Sequence, residues 1–287
     1  MVLVITAGIC WSFAGLVIRL TENVSEWQIL FYRSVFLVVT LLTYIALKNQ
    51  GGVLRAFSQA GRSAGVAGMF LSVGFAFWIF AITHTTVANA LFVLSSSSFI
   101  AAFLGRVVLK ESVRLSTWIY MGAAAGGVAI MVIEAIGVGT LLGNLFALGA
   151  ATSFAVFAVA LRRERNIDMT PAVCWAGIWA MLIGATMIML DNLTFSISLH
   201  DVLLCASLGV FQVGLGLILF TAGSRYIPTA ELVLLSLTEV VLGPVWVWVG
   251  IHEIPTLYTL AGGLIVLGAI ASQAIHGAKR RPPVGVV

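Results

Sequence analysis

Two carboxylates, Glu231 and Glu239, sit in a single apolar stretch of the chain and would lie about 12 Å apart along a helix axis. Glu239 is the one nearer the centre of that stretch. If the stretch crosses a bilayer, an ionised carboxylate there costs about 3 kcal/mol on insertion scales, so it must face a protein interior, meet a cation or bind a proton. Arg33, itself inside another apolar stretch, is the candidate cation. A structural ion pair or hydrogen-bonded cap is the ordinary alternative to a part in moving a solute.

Neutral residues in other stretches could complete a binding site. The run Ser95 to Ser98 could hydrogen-bond a solute's amino or carboxyl group, and Ser97 is its member equivalent to Glu239 under the internal repeat described below. It could equally bond back to its own helix carbonyls and let neighbouring helices approach. Trp11 with Ser12 beside it, Phe13, Trp78, Phe92, Phe154 and Trp175 could wall a cavity that accepts flat amphipathic molecules, although packing or lipid contact is the default for any one of them. Trp27, Trp118, Trp246 and Trp248 fall nearer stretch ends and fit an interfacial aromatic belt. Gly122 and Gly126, with the glycines of the last stretch, read as close helix packing. Cys10, Cys174 and Cys205 lack the spacing of a metal or disulfide frame and read as buried small apolar residues.

Other chemistries lack their residues. Lys48, Lys110 and Lys279 have no Gly before them, which excludes the usual phosphate loop, and His252-Glu253 has no second His at metalloprotease spacing. There is no nucleophile elbow and no dinucleotide fingerprint. The expectation is a chain that is not an enzyme and has no metal or cofactor, its energy coming from gradients or a partner.

The elements that must position these residues are membrane helices. A chain that is 61% hydrophobic and 9% charged, with a mean hydropathy of +1.10, is too apolar for a soluble domain. A hydrocarbon core of about 30 Å takes roughly 20 helical residues to span. Runs of that kind occupy 3–20, 27–47, 64–82, 87–109, 115–134, 140–161, 171–190, 201–222, 229–251 and 257–275, numbered here as segments 1 to 10. Continuous apolar runs rich in Ala, Leu and Gly predict an all-α bundle, because a backbone in lipid must satisfy its own hydrogen bonds. The first run has no basic region ahead of it and no small-residue cleavage site after it, so it reads as a retained helix rather than a signal peptide.

All Lys and Arg except Arg19 and Arg33 fall in or, for Arg106 at the end of segment 4, beside the gaps after segments 2, 4, 6 and 8, or in the tail. That bias predicts an inner-membrane protein with both termini cytoplasmic. The net charge of +4 then reflects topology and anionic lipid contact, not nucleic-acid binding.

The chain also repeats itself. A shift of 141 brings Gly8, Ser12, Phe13 and Ala14 onto Gly149, Ser153, Phe154 and Ala155. A shift of 142 brings Gly74 onto Gly216, Ala88 onto Ala230, Glu111 onto Glu253, Leu115 onto Leu257 and Gly126 onto Gly268. The organisation is therefore a first five-helix unit over 1–136, a second over 137–276, and a basic tail over 277–287. An odd number of crossings per unit inverts the second relative to the first. Under this alignment Glu231 matches Asn89 and Tyr226 matches His84, which suggests Asn89 and His84 for an outer gate and Glu231 and Tyr226 for an inner one. Helix-end polar residues wetted by headgroups are the ordinary reading of His84 and Tyr226. Glu111 and Glu253 read as turn anchors at opposite faces. Gly74, Gly216, Pro228 and Pro244 are the candidate hinges.

In these features the chain resembles the EamA-type ten-helix carriers of the drug/metabolite transporter superfamily. The likeness covers the whole chain. It rests on Lys110-Glu111 and His252-Glu253, each followed by a Gly-rich helix, and on Thr238-Glu239-Val240 ahead of Leu242-Gly243-Pro244-Val245, with three extra residues between Glu and Pro. Ser95 to Ser98 stand where many relatives have a Pro, and Trp11-Ser12 is similar to the YddG branch of aromatic amino-acid exporters. The resemblance implies a secondary transporter exporting small amphipathic metabolites, aromatic or other amino acids first among them, working by alternating access among membrane lipids; a monomer is plausible, and the oligomeric state is left open. A membrane-embedded enzyme or lipid-handling protein would need polar residues converging at one face, and a non-transporting scaffold would leave Glu239 unexplained.

Overall fold

The computed structural model describes residues 1–22, 24–50, 52–85, 87–131, 141–251 and 257–279. Among them there is helix and no strand, and eight helices are long and apolar enough to cross a bilayer, accompanied by the shorter apolar helices Leu115–Met131 and Leu260–His276. The chain is an all-α, polytopic membrane protein.

Five segments are single helices: α3 (Glu26–Lys48) is segment 2, α7 (Leu115–Met131) segment 5, α8 (Leu141–Arg163) segment 6, α9 (Thr170–Leu190) segment 7 and α14 (Leu257–Lys279) segment 10. Segment 3 becomes α4 (Val53–His84) and begins well before residue 64, because Gly61 takes φ 63 and lets a lead-in turn join the span at an angle. That lead-in buries Ala56 and Ala60 and leaves Leu54 exposed. Segment 1 is broken into α1 (Val2–Trp11) and α2 (Ala14–Arg19), segment 4 into α5 (Val87–Ser95) and α6 (Ser97–Leu109), and segment 9 into α12 (Thr229–Ser236) and α13 (Thr238–Ile251). Segment 8 runs as α10 (Leu199–Ser207), a π-helical stretch Leu208–Leu215 and α11 (Gly216–Ser224).

The packing is two-fold. α4 lies along α8 as α11 and the π stretch lie along α1, and α4 meets α9 as α10 and the π stretch meet α3. Helices α5 and α6 pack on α8 as α12 and α13 pack on α1 and α2, while α3 with α9, α6 with α12 and α7 with α14 pair across the axis. Exchanging the two units maps this set of contacts onto itself. The equivalent glycines obey the same exchange: a methyl on Gly74 would meet Ser153 at 3.0 Å, and one on Gly216 would meet Trp11 at 2.2 Å.

Alternate connections gather on opposite faces. On the face bearing the basic residues, Lys48 pairs with Asp168 at 2.6 Å, Arg225 approaches the same carboxylate at 3.4 Å, and Arg162 pairs with Glu111 at 2.8 Å. On the other face the Glu22 N–H donates to Asp201 at 2.9 Å, Gln28 donates to the Thr194 carbonyl at 2.7 Å and Tyr32 donates to the Phe195 carbonyl. Gln28 also closes a capping box with Ser25 that starts α3. Burial alone would raise the Asp168 pKa, but hydrogen bonds from Lys48 and Thr170 outweigh it and hold the carboxyl below its ordinary range.

Close packing of the fifth helices uses only some of the expected glycines. Nothing would meet a methyl on Gly122, Gly126 or Gly268, whereas one on Gly262 would lie 2.2 Å from the Gly127 carbonyl oxygen, so the crossing of α7 and α14 is made at Gly127 and Gly262. Cys10, Cys174 and Cys205 carry free thiols, the last two buried.

Two outcomes follow for thermal unfolding in detergent. Gly262→Ala should destabilise by about 1–3 kcal/mol through the forced separation of α7 and α14, while Gly126→Ala should be neutral or slightly stabilising. Because the folded pKa of Asp168 lies below its ordinary value, its contribution is complete at neutral pH and lost as the pH falls through the folded value. Asp168→Asn should therefore lower the unfolding midpoint at neutral pH, and the gap from wild type should close below about pH 4; a gap that is constant with pH would remove the carboxylate from the clamp.

Candidate functional site

The helix breaks fall where polar side chains compete for backbone carbonyls. Ser12 donates to the Ile9 carbonyl at 2.6 Å, Ser95 to Phe92 at 2.6 Å, Ser96 to Val93 at 2.6 Å, Ser236 to Val233 at 2.7 Å and Thr238 to Leu235 at 2.9 Å. Each bond reaches back three residues and takes up a carbonyl at the point where the helix is interrupted. In segment 8 the π turn instead widens the helix by one residue. Gly209, at its start, presses so closely on α3 that a methyl would lie 2.4 Å from the Arg33 carbonyl oxygen.

These interruptions border one cavity near the middle of the helices. The first unit lines it with Trp11, Arg33, Leu71, Gly74, Phe75, Trp78, Leu94 and Ser97, and the second with Ala150, Phe154, Gln212, Val213, Leu217, Ser236, Leu237 and Glu239. The space is about 100 Å³, well below the roughly 300–1,000 Å³ of a typical small-molecule pocket, so this conformation is a narrow one. Trp11, Phe154 and Phe220 form a cluster at one end, with ring centroids 5.6, 5.2 and 5.2 Å apart. Phe220 itself is fully buried.

The cavity's polar lining is sparse. Arg33 is 2% exposed, its guanidinium carbon is 4.8 Å from the centre of the Phe75 ring, and its Nε and Nη2 have no hydrogen-bond partner. Glu239 lines the same cavity, but the two form no ion pair, contrary to the expectation that Arg33 neutralises it. The Gln212 amide reaches the Trp11 carbonyl at 3.5 Å and leaves its own oxygen unpartnered.

Of the residues singled out from sequence, Trp11, Trp78, Ser97, Phe154, Glu239 and Gly74 meet at this cavity. Others do not reach it. Ser12 accepts from the Trp246 indole at 2.7 Å while Phe13 stacks on Trp246 at 4.3 Å, so neither lines the cavity and Trp246 braces the break in segment 1 rather than joining an interfacial belt. Phe92 packs into the core. Trp175 fills the α4–α9 contact beside Phe57 and Trp179, where Gly68 admits it. His84 lies at the end of α4 against Phe80 and Phe146, its Nδ1 2.9 Å from the Phe80 carbonyl oxygen. Gly216 packs behind Trp11. The side chains of Asn89 and Pro244, and the whole of Glu253, lie outside the described residues.

Glu231, Tyr226 and Pro228 share a separate recess of about 490 Å³ on the basic face, with Arg114, Arg162, Arg165 and Glu111. Glu111 is the turn anchor it was expected to be. One oxygen takes Arg162, and the other accepts from the Thr229 backbone and hydroxyl at 3.1 and 3.2 Å, capping α12. Every residue of α12 is buried, so this helix is the partition that runs from the recess to the cavity.

Sequence reasoning missed Gln212, Ser236 and the aliphatic wall. Gln212 had a signal, a lone amide in the apolar run of segment 8, and Leu71, Gly74, Phe75 and Trp78 share one helical face by their spacing. Ser236 had none apart from the break.

No curated protein matches this sequence. A solved crystal structure superposes on it with a TM-score of 0.81, covering 97% of each chain at 19% identity, a likeness of fold alone. The EamA-like transporter family matches twice, over residues 1–133 and again over 141–272. With a repeat of that family in each half, the chain belongs to the EamA-like transporter family.

Proposed function

We propose that this protein is a secondary carrier or facilitator that exports small amphipathic metabolites through the central cavity by alternating access. Amino acids with aromatic side chains are the best single substrate class, as in the YddG branch it resembles. The observation that carries the reading is a cavity built in equal parts by the two repeats, with aromatic rings for a flat apolar body and a few buried polar groups for a charged end.

Alternating access has its hinges in the same place. Segments 4 and 9 break at equivalent points, beside Ser97 and Glu239, so the half-helices on either side of the cavity can pivot without unpairing a whole span. In this reading Asn89 and His84 gate the outer side and Glu231 and Tyr226 the cytoplasmic side, with both termini cytoplasmic in the inner membrane. Gly74, Gly216, Pro228 and Pro244 absorb the motion. Glu239, which forms no ion pair, takes up a proton or a substrate ammonium.

The test is counterflow of labelled tryptophan and phenylalanine in proteoliposomes, with and without an imposed pH gradient. Wild type should show saturable counterflow that responds to the gradient, and Glu239→Gln should lose that response. Flux that survives the substitution and ignores pH would remove proton coupling from Glu239. Absence of counterflow for the whole amphipathic panel would return the protein to the enzyme, lipid-handling or scaffold readings.

A further inference from the structure

Arg33 poses a physical problem that the fold leaves unsolved. A guanidinium buried among helices demands an anion, since an unpaired charge in such a place is strongly destabilising. The buried carboxylate of α10 is not free to supply it: Asp201 accepts from the Glu22 N–H at 2.9 Å and from the Ser198 hydroxyl at 2.6 Å. Glu239 shares the cavity with Arg33 but does not pair with it. The ring of Phe75 covers one face of the guanidinium at 4.8 Å and supplies no acceptor.

The two unpartnered atoms are Nε and Nη2, which form one edge of the guanidinium plane. That edge presents two parallel N–H groups, the geometry that receives both oxygens of a carboxylate. We propose that Arg33 is the carboxylate anchor of the central cavity, its Nε–Nη2 edge holding the acid group of an amphipathic solute whose apolar body lies against Trp11, Trp78 and Phe154. A planar two-oxygen acid suits the edge and the small space better than a tetrahedral phosphate. The unpartnered oxygen of Gln212, also on the cavity wall, offers the complementary acceptor for an N–H or O–H on the same solute. Close contact between Gly209 and the backbone of Arg33 fixes where the side chain emerges, which makes α3 and the π stretch a single mount for both groups.

This assignment rests on the central cavity being the substrate site, and its test is a binding series separate from flux. Thermal stabilisation of the purified protein is measured with tryptophan, indole-3-propionate, tryptamine and phenyl phosphate, for wild type, Arg33→Lys and Arg33→Gln. Wild type should bind tryptophan and indole-3-propionate at least about tenfold more tightly than tryptamine, the worth of one charge-assisted pair. Arg33→Gln should lose that preference and Arg33→Lys should keep part of it. Equal binding of tryptamine, no binding of either acid, or phenyl phosphate binding as well as the acids would each overturn the anchor. The wild-type series decides this even where a variant fails to fold. Acid-selective binding without counterflow would sink the carrier reading and leave the anchor standing; counterflow of tryptamine as fast as of tryptophan would do the reverse.

Discussion

Hydrocarbon offers no hydrogen bonds, and a polar group that enters it must be enclosed by protein. In this transporter the enclosure starts at Arg33, Gln212 and Glu239, each within an apolar segment and all lining one cavity. The helices around them are drawn close by small residues, as where Gly209 meets the backbone of α3. Large apolar side chains such as Leu54, Phe103, Leu141 and Leu264 are left on the outside, where lipid rather than water receives them. The polar interior and the greasy exterior have the same cause.

A helix that must also bend meets the constraint in a second way. Breaking a span leaves backbone carbonyls without donors, and here hydroxyls of Ser and Thr supply them from three residues downstream. The interrupted spans therefore keep their backbones satisfied while gaining a point of weakness. Those points coincide with the cavity, so the weakest places of the spans border the enclosed space. In α12, buried along its whole length, the same helix carries Glu231 in the basic-face recess at one end and leads to Ser236 in the cavity at the other.

At the membrane faces water returns and charges can pair. Asp168 collects Lys48 and Arg225, and Glu111 collects Arg162 and the start of α12, so loops from both repeats are tied on the basic face. The other face relies on neutral bonds to backbone carbonyls, from Gln28 and Tyr32, and on the hold of Asp201 on Glu22. The two repeats share helix packing, and the contacts named here among the described residues fasten both faces across them.

The linear order of residues was enough to fix the membrane class, the ten segments, the alternation of their connections and the duplication, because hydropathy, charge bias and recurring positions are all one-dimensional signals. It was also enough to pick out Trp11, Trp78, Ser97, Phe154 and Glu239, which stand out as aromatic or polar residues at mid-segment. It could not decide which face of a helix each residue presents. Trp175 and Phe92 carry the same signal as Trp78 but rotate into helix contacts, and Gly122 and Gly126 look like packing glycines while Gly127 makes the crossing with Gly262. Nor could it foresee the break at Leu237 or the π turn that brings Gln212 inward, since both depend on what the neighbouring helices leave room for. Whether Arg33 and Glu239 neutralise each other was likewise a matter of distance across a cavity, and only the packed bundle sets that distance.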